Sequence, residues 1–226
     1  MAGNLYGIGV GPGDPELLTL KAVKIMKECD VIAIPAESKE SCIAYLIAVQ
    51  AVPELVFKEI LPVSMPMTKD KEVLRLSHEK GAADVIELLD SERQVGFLTL
   101  GDPTVYSTYM YIHNRVKLRG YETEIINGIP SFCAVAATLG ISLAENKDQV
   151  HIFPASYDLS DALSLQGTKI FMKMGKKLNE VRNKIKEAKL EAYMVENCGM
   201  ENEKIYKTIE EFPEEAGYYS LIIIKN

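Results

Sequence analysis

The chain has no tryptophan and few residues of the kinds that bind metals or form disulfides: three histidines and four cysteines among 226 residues. Cys29, Cys42, Cys133 and Cys198 lie 13, 91 and 65 residues apart, a spacing that matches neither a zinc knuckle nor a redox pair. They are expected to pack as small apolar groups. His78, His113 and His151 are scattered, with no His-Glu-x-x-His pattern, so no protein-bound metal is expected. Long hydrophobic runs are also missing. The longest, Cys42 to Val49, is eight residues against about twenty for a membrane span, so no transmembrane helix is expected. No lysine or arginine precedes Lys21, which argues against a secretory signal or a transit peptide and makes the cytoplasm the default compartment. The net charge of -7 disfavours nonspecific binding to nucleic acid or to an anionic membrane, though not the binding of a small acidic ligand.

A phosphate cradle is absent as well, although two glycine turns look built for a ligand. In Gly9-Val10-Gly11-Pro12-Gly13-Asp14-Pro15 an apolar strand breaks into a glycine loop. Gly9 and Gly11 are not followed by the third glycine of a dinucleotide fingerprint; Asp14 stands there, and its carboxylate would repel a pyrophosphate. No glycine-rich segment ends in Lys-Ser or Lys-Thr, which excludes a P-loop. The second turn, Gly101-Asp102-Pro103, ends the apolar run from Gly96 and precedes a helical pattern. The two turns could meet at the carboxyl edge of one parallel sheet, where open α/β folds bind ligands. Alternatively, Asp14 and Asp102 merely cap helices, and spacing alone does not separate the two readings.

The remaining composition is that of an ordinary globular protein, long enough for one large or two ordinary domains. Strand and helix patterns alternate up to residue 126: strands over 5–10, 30–35, 55–60, 94–100 and 121–126, and helices over 15–28, 39–51, 70–90 and 104–118. Segment 61–69, which holds Pro62 and Pro66, is expected to be a loop. Apolar runs such as Val31–Ile34 predict a parallel sheet covered by helices on both faces. In the 70–90 helix Val73, Leu74, Leu76, Val85, Ile86, Leu88 and Leu89 form the expected core stripe. The character shifts at Asn127-Gly128-Ile129-Pro130. Beyond it come a small-residue helix over 131–139, strands near 150–154, 168–174, 190–196, 203–207 and 217–225, and a lysine-rich helix over 178–189. The expected division is an N-terminal α/β domain over 1–126 and a C-terminal α+β domain over 127–226. Two cationic runs, Arg115-Lys117-Arg119 and Lys173-Lys176-Lys177, could supply local positive potential; the first also suits a helix C-terminus.

Taken together, GVGPGDPELLTLKAV, LTLGDPTVYSTYMYI, INGIPSFCAVAATLGISLAE, KMG and YYSLIIIKN resemble the tetrapyrrole (corrin/porphyrin) methylase family along nearly the whole chain. Within it the resemblance is closest to the C-20 methyltransferases of cobalamin (vitamin B12) biosynthesis, whose substrate is precorrin-2 or cobalt-factor II. The resemblance implies two domains with a cleft between them, a homodimer, and S-adenosyl-L-methionine as methyl donor. By motif position Gly101, Asp102, Val105, Tyr106, Ser131 and Phe132 would contact the donor, with Met174, Asn197 and Ser220 as looser matches. Gly11, Pro12, Gly13 and Asp14 would position the tetrapyrrole, while Tyr109 is expected to pack in the core. No side chain is implied as a nucleophile, and no lysine or arginine is singled out for the substrate carboxylates. Other members of the superfamily act on RNA or on a modified protein histidine, and a noncatalytic sensor of donor or tetrapyrrole would keep the same fold.

Overall fold

The computed structural model describes residues 2–154, 159–173 and 177–225. The chain forms two compact units, Met1–Pro130 and Ser131–Asn226.

The first unit is built on a five-stranded parallel sheet. Its strands are β1 (Leu5–Gly9), β2 (Val31–Ile34), β3 (Glu59–Pro62), β4 (Val95–Thr99) and β5 (Thr123–Ile126), in the order β3-β2-β4-β1-β5. Helices α1 (Leu20–Glu28), α2 (Ile43–Ala51), α3 (Lys71–Asp90) and α4 (Tyr109–Leu118) connect them. Every residue of β2 and β4 is buried, as unbroken apolar runs require of central parallel strands. One core face joins Leu5, Val31, Val95 and Phe97 to Val85 and Leu89 of α3 and to Tyr109, Ile112 and Val116 of α4. Tyr109 is fully buried, and its hydroxyl shares a 3.1 Å hydrogen bond with His113 Nδ1. Its ring packs against the centre of β1, where a Cβ on Gly7 would come within 1.9 Å of Tyr109 Cε1.

Four expected elements of this unit shift. The helix expected over 15–28 is a 3-10 turn, Pro15–Leu17, followed by α1. Asp14 accepts from the Glu16 amide, Leu18 is extended (ψ 136), and Thr19 supplies a second cap by accepting from the Ala22 amide. The helix expected over 39–51 begins only at Ile43. The strand expected over 55–60 is largely a 3-10 turn, Pro53–Phe57, opened by a proline at its first position; β3 then runs to Pro62, into the expected loop. The helix expected over 104–118 begins at Tyr109, because Tyr106 is left-handed (φ 48) and breaks the helical path. In α3, Val73 and Leu76 turn out exposed, and the buried stripe is His78, Gly81, Ala82, Val85 and Leu89.

The second unit holds α5 (Ser131–Leu139), α6 (Leu159–Leu163), α7 (Leu178–Ala188) and a mixed sheet. Its strands are β6 (Val150–Pro154), β7 (Thr168–Met172), β8 (Glu191–Glu196), β9 (Lys204–Tyr206) and β10 (Ser220–Lys225), in the order β6-β7-β10-β8-β9. β10 is antiparallel to β7 and to β8, which buries its Leu-Ile-Ile-Ile run at the centre of the sheet. Leu178, Val181 and Ile185 line the apolar side of α7 and pack with Phe153, Phe171, Met194 and Ile222.

The Gly7–Tyr109 contact predicts a coupled pair. Gly7→Ala should overpack the core and cost about 1–3 kcal/mol. In the double variant with Tyr109→Leu the loss should fall short of the sum of the two single losses by about 0.5 kcal/mol or more. Denaturant melts of the four proteins measure this, and strict additivity would mean that the ring does not pack as described.

Candidate active site

Three neighbouring strands of the first sheet, β4, β1 and β5, end in glycines whose backbones pack against one another. A Cβ on Gly9 would lie 2.6 Å from both the Gly101 carbonyl oxygen and the Gly128 nitrogen, and one on Gly128 would lie 2.1 Å from the Gly101 oxygen. No side chain fits at either place, so the sequence must be glycine for the three loops to meet. Gly101 N–H donates to Gly11 O at 2.8 Å, Gly11 N–H donates back at 3.3 Å, and Val10 N–H donates to Thr99 O at 3.0 Å. Gly11 (φ 73) and Gly101 (φ 71) are both left-handed.

Asp102 locks this junction. It is 5% exposed, and each of its carboxylate oxygens accepts two hydrogen bonds. One oxygen accepts from the Thr104 amide (2.8 Å) and hydroxyl; the other accepts from Asn127 Nδ2 and the Gly128 amide, each at 3.1 Å. Burial opposes ionisation, but the Thr104, Asn127 and Gly128 donors outweigh it and hold the carboxyl below its ordinary value. Thr19 adds a further tie by donating to Asn127 O at 3.3 Å. Asp102 is therefore both the turn cap that spacing allowed and a long-range strut between the loops after β4 and β5. Asp14 does the simpler job, accepting from the Glu16 amide at 2.8 Å. Gly11, Pro12, Gly13 and Gly101 are buried and Asp14 is partly buried, while Tyr106, in the loop after β4, is half-exposed and left-handed. A Cβ on Gly101 would make only an ordinary van der Waals contact, with Ile129 O at 3.9 Å, so there it is the left-handed backbone rather than crowding that favours glycine.

In the second unit Ser131 and Phe132 open α5, both partly buried. Asn197 and Ser220 are brought together at one edge of the mixed sheet, where β8 ends and β10 begins. Asn197 is left-handed (φ 52), and its amide donates to Tyr219 O at 3.0 Å. Ser220 is 3% exposed, and its hydroxyl has no hydrogen-bond partner. Met174 lies outside the described residues. Glu196, which sequence reasoning passed over, and Lys173, the first residue of the second cationic run, also lie at this edge. Glu196 fixes the edge by accepting from Tyr206 OH (2.9 Å) and the Gly217 amide (2.8 Å). Lys173, left-handed at φ 63, donates its amide to Ser220 O at 3.2 Å.

The histidines serve packing. His78 stacks on Tyr111 with ring centroids 4.5 Å apart, and His113 bonds Tyr109; burial pushes both below the ordinary imidazole value. His151 bonds Gln166 O at 3.0 Å. Among the described residues no group of three or more His, Cys, Asp or Glu could hold a metal ion.

The family model described as Tetrapyrrole (Corrin/Porphyrin) Methylases matches residues 4–213. The chain is 39% identical to a probable cobalt-precorrin-2 C(20)-methyltransferase of Methanocaldococcus jannaschii, over 98% of this chain and 95% of that protein. It is 30% identical to a precorrin-2 C(20)-methyltransferase of a Sinorhizobium species, with the same coverage. Among solved structures it resembles uroporphyrin-III C-methyltransferase of Thermus thermophilus complexed with S-adenosylhomocysteine. That likeness has a TM-score of 0.70 at 20% identity, covering 99% of this chain and 98% of the other.

The Asp102 geometry fixes a pH dependence. Its folded-state value is depressed, so its stabilisation is complete above the ordinary aspartate value of about 4 and is lost as pH falls through the folded value. Asp102→Asn should cost about 1–3 kcal/mol at neutral pH, with the gap to wild type closing in acid. Melts across pH test this; a gap that stays constant from pH 7 to the acid limit would show that the charge plays no part.

Proposed function

The chain belongs to the tetrapyrrole (corrin/porphyrin) methylase family, and we propose that it transfers the methyl group of S-adenosylmethionine to C-20 of precorrin-2 or cobalt-factor II in cobalamin biosynthesis. The observation that carries the C-20 assignment is the 39% identity, over nearly both full lengths, to a relative named for that position.

The residues present suit this donor. It has no phosphate, and the Gly9–Asp14 and Gly101–Tyr106 turns carry neither a phosphate cradle nor a lysine or arginine. Its cationic sulfonium is compatible with exposed backbone carbonyls and nearby carboxylates. Gly101, Asp102, Val105 and Tyr106 of the first unit, and Ser131, Phe132, Met174, Asn197 and Ser220 of the second, are the residues proposed to hold it. The Asp102 carboxylate is saturated by its four donors, so Asp102 contributes through the backbone of its loop. The unpartnered Ser220 hydroxyl is a buried polar group that a ligand would satisfy. Gly11, Pro12, Gly13 and Asp14 are assigned to the tetrapyrrole.

When bound, S-adenosylmethionine supplies an electrophilic methyl and a good leaving group, so an electron-rich meso carbon needs no nucleophile from the protein. The protein's own work is alignment and exclusion of water, which can supply ~7–11 kcal/mol in favourable cases. A rigid junction of strand ends suits that work, because a donor loop that drifts loses the in-line geometry. The assembly we propose is a homodimer, and the compartment the cytoplasm. Among the described residues no helix is long and apolar enough to cross a membrane.

Three measurements test this reading. Incubation with S-adenosylmethionine and either metal-free or cobalt-loaded substrate should add one methyl to a tetrapyrrole, and calorimetry should show binding of S-adenosylhomocysteine but not of NAD. Donor binding without tetrapyrrole methylation would indicate a sensor, and methylation of RNA or protein would move the target. Light scattering at micromolar protein should give twice the chain mass; a monomer with full activity per chain on dilution would contradict the dimer.

A further inference from the structure

The reading above leaves the substrate's carboxylates without a partner on the protein. A tetrapyrrole with acetate and propionate side chains is a polyanion, and the protein's net charge of -7 repels it, so a local cation is needed. Arginine is the usual choice for carboxylates, yet each of the five arginines is engaged. Arg75 pairs with Glu72, Arg93 with Glu59, and Arg115 and Arg119 both with Glu79; Arg182 donates to Phe212 O at 3.1 Å. Several lysines are engaged as well, among them Lys21 with Glu124, Lys27 with Glu54, and Lys58 with the carbonyls of Lys27 and Cys29.

Lys173 differs from these in where the backbone puts it. It follows β7 at the sheet edge that carries Asn197 and Ser220, and its left-handed backbone is tied to Ser220 O. Its ammonium stands over the Tyr218 ring, 5.3 Å from the centroid. Tyr218 meets Tyr219 edge to face, with centroids 5.2 Å apart and planes at 86°. Both rings are substantially exposed, at 45% and 39%. One edge of the second unit thus presents two accessible aromatic rings and a cation held above one of them. It also holds two non-glycine residues, Lys173 and Asn197, in a left-handed conformation, a strain that clusters at ligand sites.

We propose that Lys173, Tyr218 and Tyr219 form a subsite for the tetrapyrrole, the ammonium pairing with a side-chain carboxylate and the phenol rings packing against the conjugated macrocycle. The proposal rests on the tetrapyrrole reading given above. The charge selects the occupant: an ammonium attracts a polycarboxylate macrocycle and repels the sulfonium of the methyl donor. The π-faces suit a flat ring, and the contact with Tyr218 holds the ammonium before the ligand arrives.

The test uses Lys173→Met, which removes the charge and keeps a side chain of similar length at the same backbone conformation, with Lys173→Arg as the restoring variant. Uroporphyrin III, which reports its own binding by fluorescence, probes the subsite independently of turnover, and S-adenosylhomocysteine calorimetry probes the donor. Lys173→Met should weaken uroporphyrin III binding and raise KM for the tetrapyrrole by about tenfold, the loss of one charge-assisted contact. The salt dependence of tetrapyrrole binding should flatten, S-adenosylhomocysteine affinity and melting temperature should hold, and Lys173→Arg should recover most of the loss. Tetrapyrrole binding unchanged in Lys173→Met overturns the subsite, and so does an equal loss of S-adenosylhomocysteine binding, which would assign the lysine to the donor. A wild-type protein that binds uroporphyrin III through Lys173 yet methylates no tetrapyrrole would overturn the proposed reaction and leave the subsite standing.

Discussion

The first unit depends on one close approach. The backbones of Gly9, Gly101 and Gly128 pack together at the ends of three adjacent strands, and the Asp102 carboxylate holds two of the loops in place. Burying a carboxylate is costly unless its oxygens are hydrogen-bonded. Here every donor to Asp102 comes from the turn it caps or from the loop after β5, so the charge is tolerated only when that loop is seated. Conversely, the loop is seated because the charge is there. This mutual dependence makes the loops after β1, β4 and β5 one structure, although their glycines are more than a hundred residues apart at the extremes.

A junction made of backbone also has chemical consequences. It offers carbonyls, amides and the space left by missing side chains, and no lysine or arginine stands in its two Gly-Asp-Pro turns. That surface suits a reaction in which the bound donor carries the reactivity and the protein contributes geometry. The second unit reaches a related result by other means. At its sheet edge Lys173 and Asn197 adopt left-handed conformations and donate their amides to β10 and the residue before it, while Glu196 ties down Tyr206 and Gly217. The main chain tied down there carries the substantially exposed rings of Tyr218 and Tyr219 and the Lys173 ammonium.

Much of this was legible in the sequence because it is local. Apolar runs marked β1, β2 and β4, and the apolar run before the terminus marked the last strand. The two Gly-Asp-Pro turns marked strand ends. What spacing could not show is that Asp102 bonds across 26 residues to Gly128, since nothing in either segment names its partner. For the same reason cap and ligand readings of Asp102 could not be separated by spacing; its carboxylate is saturated by structural bonds, and a donor role for its loop is part of the proposed function. Helix starts moved because Tyr106 is left-handed and because Thr19 offered a second cap five residues after Asp14. The Lys173, Tyr218 and Tyr219 cluster was hidden because its members, 45 residues apart, meet only through the register of β7 and β10. Tyr109 was read correctly as a core residue, and the reason its ring fits is the absence of a side chain at Gly7.

The central claim is that the glycine junction sets the geometry for methyl transfer, and the most direct measurement is the single-turnover rate of Gly128→Ala, taken with its affinity for S-adenosylhomocysteine. The added methyl would sit 2.1 Å from the Gly101 oxygen and must push the loop after β4 away. The folded variant, with circular dichroism unchanged, is expected to lose both transfer rate and S-adenosylhomocysteine binding. A folded Gly128→Ala protein that binds S-adenosylhomocysteine and transfers methyl at the wild-type rate would contradict it.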